Sequence, residues 1–456
     1  MRASGILMPI FSLPSRYGIG SFSKSAYQFV DMLKKAGQKY WQILPLCPTS
    51  YGDSPYQSFS TYAGNPYFID LDQLIEEKLL TRKECQACDF GDDPQDIDYG
   101  KLYENRFKLL RKAYERANVG EDQEFEAYRR ENAWWLDDYA LFMAVKDQFD
   151  GVAWNEWAED IRLRWSNAMD YYRRELYYEI EFYSYLQFVF MKQWKKLKNY
   201  ANINGIEIIG DIPIYVAFDS ADAWANPELF QFDAENLPTA VAGCPPDGFS
   251  ADGQLWGNPL YRWDYHRETG FDWWIRRIAY CSELYDVVRI DHFRGFDEYY
   301  SIPYGDTTAR NGHWEKGPGV ALFEAAKNRL GELNIIAEDL GYITDSVKKL
   351  VADSGFPGMK VLEFAFDSRE KSDYLPYTYE KNSVVYTGTH DNETIAGWYA
   401  GLDKSDLKMC TDYMNIDRIP GKEYHWDFIR LAMLSVSDLC VIPIQDYLGL
   451  DNRARI

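Results

Sequence analysis

Cysteine is scarce and unpatterned in this chain. The seven residues, Cys47, Cys85, Cys88, Cys244, Cys281, Cys410 and Cys440, are odd in number and lack the spacing of a secreted disulfide scaffold. Cys85 and Cys88 form a CxxC, yet no second pair or nearby histidine completes a zinc set, and the flanking residues do not resemble the start of a redox helix. No run is long and apolar enough to span a bilayer, and the opening MRASGILMPIFSLPS is too briefly apolar for a secretory signal, so a cytoplasmic setting is expected. Positive charge is in deficit: 49 Lys and Arg against 71 Asp and Glu leave a net charge of -22. Such a surface repels phosphate backbones and anionic membranes, which argues against nucleic-acid or membrane partners and for a neutral substrate. Linkers rich in Gly, Ser or Pro, internal repeats and low-complexity tracts are also missing, so nothing marks off an independent module within the 456 residues.

Aromatic residues, by contrast, are plentiful at 17%, with 36 Tyr and 15 Trp, many of them among polar neighbours. Most must fill core, but such rings also offer flat faces to the C–H side of a sugar and polar tips to its hydroxyls. Short apolar runs rich in Ile, Val, Leu, Phe or Tyr predict eight strands: Gly5 to Ile10, Tyr40 to Leu46, Ile206 to Asp211, Val287 to Asp291, Ile335 to Glu338, Met359 to Phe364, Val384 to His390 and Leu439 to Ile444. Amphipathic stretches separate them, as in Ser23 to Ala36, where Ala26, Phe29, Val30 and Leu33 share a face. Continuous apolar strands alternating with helices predict an α/β fold, a parallel (β/α)8 TIM barrel.

Two gaps, of roughly 160 and about 75 residues, far exceed ordinary βα connections of ~2–6 residues and imply large, mostly helical insertions at the C-terminal face of the strands. The expected organisation is one catalytic barrel over residues 1–456, a helical insertion at 72–183 and a second insertion at 217–272. The tyrosine rows of the first insertion, YENRFKLLRKAYERA and MDYYRRELYYEIEFY, suit packing seams better than sugar platforms.

Three acids, Asp291, Glu338 and Asp391, stand where VVRIDHFRG, IIAEDLG and VVYTGTHDNETIAGW leave an apolar run for a polar loop. One acid in that position merely caps the next helix; three, with an arginine in phase, point to acid/base and nucleophilic work on a glycosidic bond. Residues two apart in a strand share a face, so Arg289 and Asp291 project together, and a guanidinium beside a carboxylate favours the charged form that suits a nucleophile. Glu338, framed by Ile335, Ile336, Ala337 and Leu340, has the apolar setting that lets a carboxyl hold a proton for a leaving oxygen. Asp391 is then expected to bind substrate hydroxyls and favour a distorted sugar ring, with His390 beside it as a donor. No serine or cysteine motif near His390 suggests a hydrolase triad.

Four segments in order, GDIPIYV from Gly210, RIDHFRG from Arg289, AEDLG from Ala337 and THDNETIAGW from Thr389, resemble the strand-end motifs of the amylomaltase or disproportionating-enzyme family of 4-α-glucanotransferases, related to the α-amylase barrels. GDSPYQSFSTYAGNPYFIDL from Gly52 and PPDGFSADGQLWGNPLY from Pro245 resemble segments more particular to that family. The resemblance implies Asp291 as nucleophile, Glu338 as general acid/base and Asp391 as transition-state stabiliser. It implies that Arg289, His390 and Asp211 bind the donor sugar or order the acids, that Ser54 and Tyr56 contact substrate, and that Trp256 and Asp367 lie beside the cleft. Pro245, Pro246, Asp247, Gly248, Phe249 and Ser250 match a loop that covers bound glucan. Ser54 and Asp211 also suit turns or caps, and Trp256 suits packing. Family members continue for several dozen residues past the position of Ile456, so some acceptor contacts are expected beyond this chain.

The implied activity is transfer of α-1,4-glucan segments between maltooligosaccharides with retention of configuration, a double displacement needing neither metal nor organic cofactor. Partners are then an α-1,4-glucan donor and acceptor, and oligomeric state stays open. A hydrolytic α-glucosidase or amylase remains the alternative, since the same acids serve water as acceptor. A non-catalytic glucan-binding barrel is a third reading, against which the intact acid set argues.

Overall fold

A computed structural model describes residues 2–50, 52–246, 250–341, 343–369, 372–417 and 423–455. Twelve strands run through them in chain order: β1 (Ala3–Leu7), β2 (Tyr40–Gln42), β3 (Glu207–Pro213), β4 (Ala240–Cys244), β5 (Gln254–Pro259), β6 (Val287–Asp291), β7 (Glu298–Pro303), β8 (His313–Lys316), β9 (Ile335–Ala337), β10 (Gly358–Val361), β11 (Ser383–Tyr386) and β12 (Leu439–Pro443). Eight of these close into a barrel in the order β1-β2-β3-β6-β9-β10-β11-β12, with every neighbouring pair parallel. The expected TIM barrel is therefore the observed one.

Several strands end earlier than their apolar runs predict. β2 stops at Gln42, β10 at Val361 and β11 at Tyr386. Beyond Val361 the chain tightens into a 3-10 turn, Leu362–Phe364, because the peptides there leave the ladder for loop partners such as Thr387 O, which accepts from Glu363 N at 3.2 Å. Apolar residues continue because the loops over the barrel mouth are themselves buried.

Each barrel strand is covered on both faces, so alternate residues enter different cores. Leu7, Ile209, Ile336, Met359, Val361, Val384, Tyr386 and Val441 meet in one cluster. Ile208, Val288, Ile290, Ile335 and Ala337 join the large cluster that includes the helices. Helix Lys24–Lys35 buries Ala26, Phe29, Val30 and Leu33, the face its spacing predicts.

The first long connection carries helices Tyr99–Ala117, Gln123–Gln148, Ser166–Glu175 and Tyr177–Ile203, so the sequence-based limit at 183 falls inside a helix that runs on almost to β3. Tyr139 meets Tyr183 (centroids 6.5 Å apart) and Tyr128 meets Phe188 (5.7 Å), seams between the two longest helices. Tyr171, Tyr177 and Tyr178 instead lie exposed.

The second connection departs from a mostly helical insertion. β4 and β5 pair with β7 and β8 in an antiparallel sheet of order β5-β4-β7-β8. The β7–β8 hairpin, absent from the sequence reading, lies between β6 and β9; EYYSIP and HWEK carry too few alternating apolar residues to stand out, and their pairing with β4 supplies the stability that pattern lacks.

Gly210 on β3 illustrates how tightly helix cover and barrel are fitted. A Cβ there would lie 2.1 Å from the buried Tyr285 ring, whose hydroxyl accepts from Leu46 N. We expect Gly210→Ala to destabilise the protein by ~1–3 kcal/mol through overpacking, read as a lowered thermal unfolding midpoint.

Candidate active site

Parallel register stacks the inward-facing polar residues in layers at the C-terminal end of the barrel. Asp211, Arg289 and Ile336 stand level on β3, β6 and β9. Ile290 pairs with Ala337, so the next residue on each side, Asp291 and Glu338, rises to a common level one step higher. Backbone bonds fix that relation: Glu338 N donates to Ile290 O (3.1 Å) and Phe293 N to Glu338 O (3.0 Å).

Arg289 and Asp211 lie wholly inside the protein, at 1% and 0% side-chain exposure. Arg289 Nη1 donates to both Asp211 oxygens (2.7 and 2.8 Å) and stands 3.1 Å from Asp291 Oδ1. Burial opposes the Arg289 charge, but Asp211 and Asp291 outweigh it and hold the guanidinium well above its usual range. Burial pushes the Asp211 carboxyl up in spite of Arg289.

From Asp211 the network continues outward. Tyr56 OH donates to Asp211 Oδ2 (2.7 Å) and lies 2.8 Å from His390 Nε2. A phenol has one proton, so with that proton given to Asp211 it accepts from Nε2–H. The Tyr56 and His390 rings lie parallel within 8°, and His390 Nε2 is 3.3 Å from Asp391 Oδ2. Asp391 itself opens to solvent and is carried by a local turn in which Thr389 N and Oγ1 donate to Asn392 Oδ1, while Arg455 Nη2 donates to Asp391 O. Two of the three acids predicted from sequence, Asp291 and Asp391, are thus joined through Arg289, Asp211, Tyr56 and His390.

Glu338 stands apart from this chain. Its oxygens accept from His292 N (2.7 Å) and Leu340 N (3.0 Å). Burial first, and the negative charge of Asp291 second, push its carboxyl up to about 8, against Arg289 and the two N–H donors. The apolar setting read from the sequence is one cause; Asp291 as a neighbour is the other.

The remaining predicted residues fall unevenly. Trp256 on β5 packs edge-on to His292, the residue after Asp291, at 4.8 Å. Ser54 accepts from Tyr56 N at 3.3 Å and serves the turn that presents Tyr56. Asp367 is paired with Arg369 two residues on, and no contact among the described residues ties it to the three acids. Pro245 and Pro246 follow β4, and Ser250 Oγ donates to Gly253 O (2.8 Å); Asp247, Gly248 and Phe249 lie outside the described residues.

His292 was missed as a site residue. It adopts a left-handed backbone (φ 52°) that turns its N–H onto Glu338, and burial pushes its imidazole down to about 4, so it is neutral at physiological pH. Periodicity cannot report a left-handed residue, although its place directly after Asp291 was a usable signal. Among the described residues, no group of three or more His, Cys, Asp or Glu converges as metal ligands would.

A parallel barrel presenting two level carboxylates in contrasting electrostatic settings, beside a buried arginine and a third acid on a loop, defines a barrel enzyme equipped for acid/base chemistry on glycosidic bonds. The family model for 4-alpha-glucanotransferase matches residues 8–456, and the chain belongs to that family. The 4-alpha-glucanotransferase of Clostridium butyricum is 50% identical over 98% of this chain and 92% of that protein. That of Streptococcus pneumoniae is 50% identical over 100% of this chain and 90% of the relative. The amylomaltase from Streptococcus agalactiae, solved in complex with acarbose, superposes with a TM-score of 0.96 at 45% identity, covering 100% of this chain and 92% of that one.

Removing the shared hydroxyl in Tyr56→Phe leaves Asp211 and His390 each short of a partner. A hydrogen bond to a charged group contributes ~1.5–3 kcal/mol, so we expect turnover to fall about tenfold to a hundredfold with the circular dichroism spectrum unchanged.

Proposed function

We propose that this protein transfers segments of α-1,4-linked glucan from one maltooligosaccharide to another, with Asp291 as nucleophile and Glu338 as general acid and base. The observation that carries the assignment is the contrast between the two level carboxylates: Arg289 offers Asp291 a positive charge at 3.1 Å, whereas burial and Asp291 push Glu338 up to about 8.

Asp291 attacks the anomeric carbon as its bond to the glycosidic oxygen breaks, and Glu338 gives its proton to that oxygen. Esterification removes the Asp291 charge, which is one cause of the raised Glu338 pKa, so the carboxyl that delivered a proton becomes a better-matched base. Glu338 then takes the proton of an acceptor 4-hydroxyl while that oxygen displaces Asp291, and one α-1,4 bond replaces another. Asp391, reached through His390 and Tyr56, binds sugar hydroxyls and favours the flattened ring. The geometry of the Asp211–Tyr56–His390 chain supports its role in ordering these groups. The seven free thiols support a cytoplasmic setting.

Incubation with maltotriose tests the reading: glucose with a ladder of longer oligomers indicates transfer, and glucose with maltose alone indicates hydrolysis and overturns it. Asp291→Asn should reduce transfer to background. In the same variant the Glu338 pKa should drop below about 8, measured by NMR titration of labelled glutamate, because one of the charges raising it is gone. In the native enzyme kcat/KM should fall as pH rises through about 8, where Glu338 loses the proton it must deliver, and Glu338→Gln should abolish that limb while sparing activated aryl glycosides in the first step. Equal losses for activated and poor leaving groups would reject the acid assignment.

A further inference from the structure

We propose that a cavity on the outer wall of the catalytic face, between helices Gln123–Gln148 and Asp272–Leu284, is a second, non-catalytic site that holds one glucosyl unit of a long glucan; the choice of glucan rests on the activity proposed above. The cavity has about 150 Å³ and is lined by Tyr62, Trp134 and Trp273 together with Asp138, Glu228 and Arg276. None of these residues belongs to the chain that links Asp211, Arg289, Asp291 and His390.

Five aromatic side chains line it, among them three of graded exposure. Trp134 is 43% exposed, whereas Tyr62 and Trp273 are buried. The rings of Trp134 and Tyr62 stand nearly perpendicular, 77° apart at 4.8 Å, and Trp273 is set at 76° to Tyr62 at 6.4 Å. Trp134 keeps exposed ring surface after these contacts, and a sugar can lay the flat side formed by its axial C–H bonds on such a ring.

Polar capacity accompanies the rings. Tyr62 is 95% buried by its 5% exposure, and its hydroxyl has no hydrogen-bond partner among the described residues, a vacancy native structures seldom tolerate. Asp138 is bound to Arg164 at 2.6 Å, and Arg276 to Asp272, yet a carboxylate has about four acceptor positions and a guanidinium five donors, so each has capacity left for hydroxyls.

Size and charge narrow the ligand. The volume admits one pyranose ring and not a drug-sized molecule, which takes ~300 Å³ or more. Asp138, Glu228 and Asp272 repel phosphorylated sugars, and the pairing of Asp138 with Arg164 and of Asp272 with Arg276 lowers the pull that an aromatic and acidic pocket otherwise has on organic cations. A neutral sugar satisfies both.

Position links the site to long substrates. Helix Asp272–Leu284 leads into the start of β6, so its N-terminal end, which carries Trp273 and Arg276, lies level with the C-terminal ends of the strands. One loop carries both Tyr56 into the active site and, six residues on, Tyr62 into this wall; Thr61 N pins it there by donating to Asp222 Oδ2 (2.8 Å). A glucan held here is held at the catalytic face, which raises its effective concentration at the cleft.

Calorimetric titration of the Asp291→Asn protein with millimolar maltoheptaose tests the site; any product formed would reveal failure of the nucleophile assignment separately. Two classes of site are expected, of which Trp134→Ala, added to that background, removes one, and Tyr62→Phe weakens the same one several-fold. In the otherwise native enzyme, Trp134→Ala should raise KM for amylose several-fold and leave maltotriose disproportionation unchanged. A single class of site, two classes persisting in Trp134→Ala, or an equal loss on amylose and maltotriose would each overturn the proposal.

Discussion

The ion pair of Arg289 with Asp211 is the constraint on which the rest of the site depends. Two charges at 1% and 0% exposure are costly to bury, and only close geometry with further partners offsets that cost. Asp291, 3.1 Å from the same guanidinium nitrogen, and Tyr56, which donates to the Asp211 Oδ2 that Arg289 also holds, are those partners. Removing one member of such a buried pair leaves the other uncompensated, which typically costs ~3–5 kcal/mol, so the pair holds together the groups on both sides of it.

Its consequence is a division of electrostatic labour. Arg289 faces one of the two level carboxylates at short range, and the other is left among apolar neighbours and backbone donors, with a pKa raised in part by the first. Groups so placed titrate together, and a change in one charge resets the other. In the proposed mechanism the same dependence suits one carboxyl to two successive steps.

Much of this arrangement was legible in the chain. Eight apolar runs stand where eight barrel strands are, and the phase of Arg289 with Asp291 follows from the two-residue repeat of a strand, whatever the partners. The helical face of Lys24–Lys35 was equally plain. The β7–β8 hairpin was not, because its strands are stabilised by pairing with β4 across a long sequence separation, which no local pattern reports. His292 escaped for a related reason: a left-handed residue has no periodicity, and its value lies in the direction of one N–H. Asp367 shows the converse, an acid in a suggestive place whose nearest base, Arg369, engages it first.

Periodicity and the places where apolar runs end specify the barrel, the level of each acid along its strand and the side to which Arg289 and Asp291 turn. The tertiary structure adds that Glu338 stands level with Asp291 and that Tyr56, more than 150 residues from Asp211 in the chain, closes the path to His390. Those relations depend on which strands become neighbours and in what register, and register is set by the summed packing of the whole barrel, not by any segment of it.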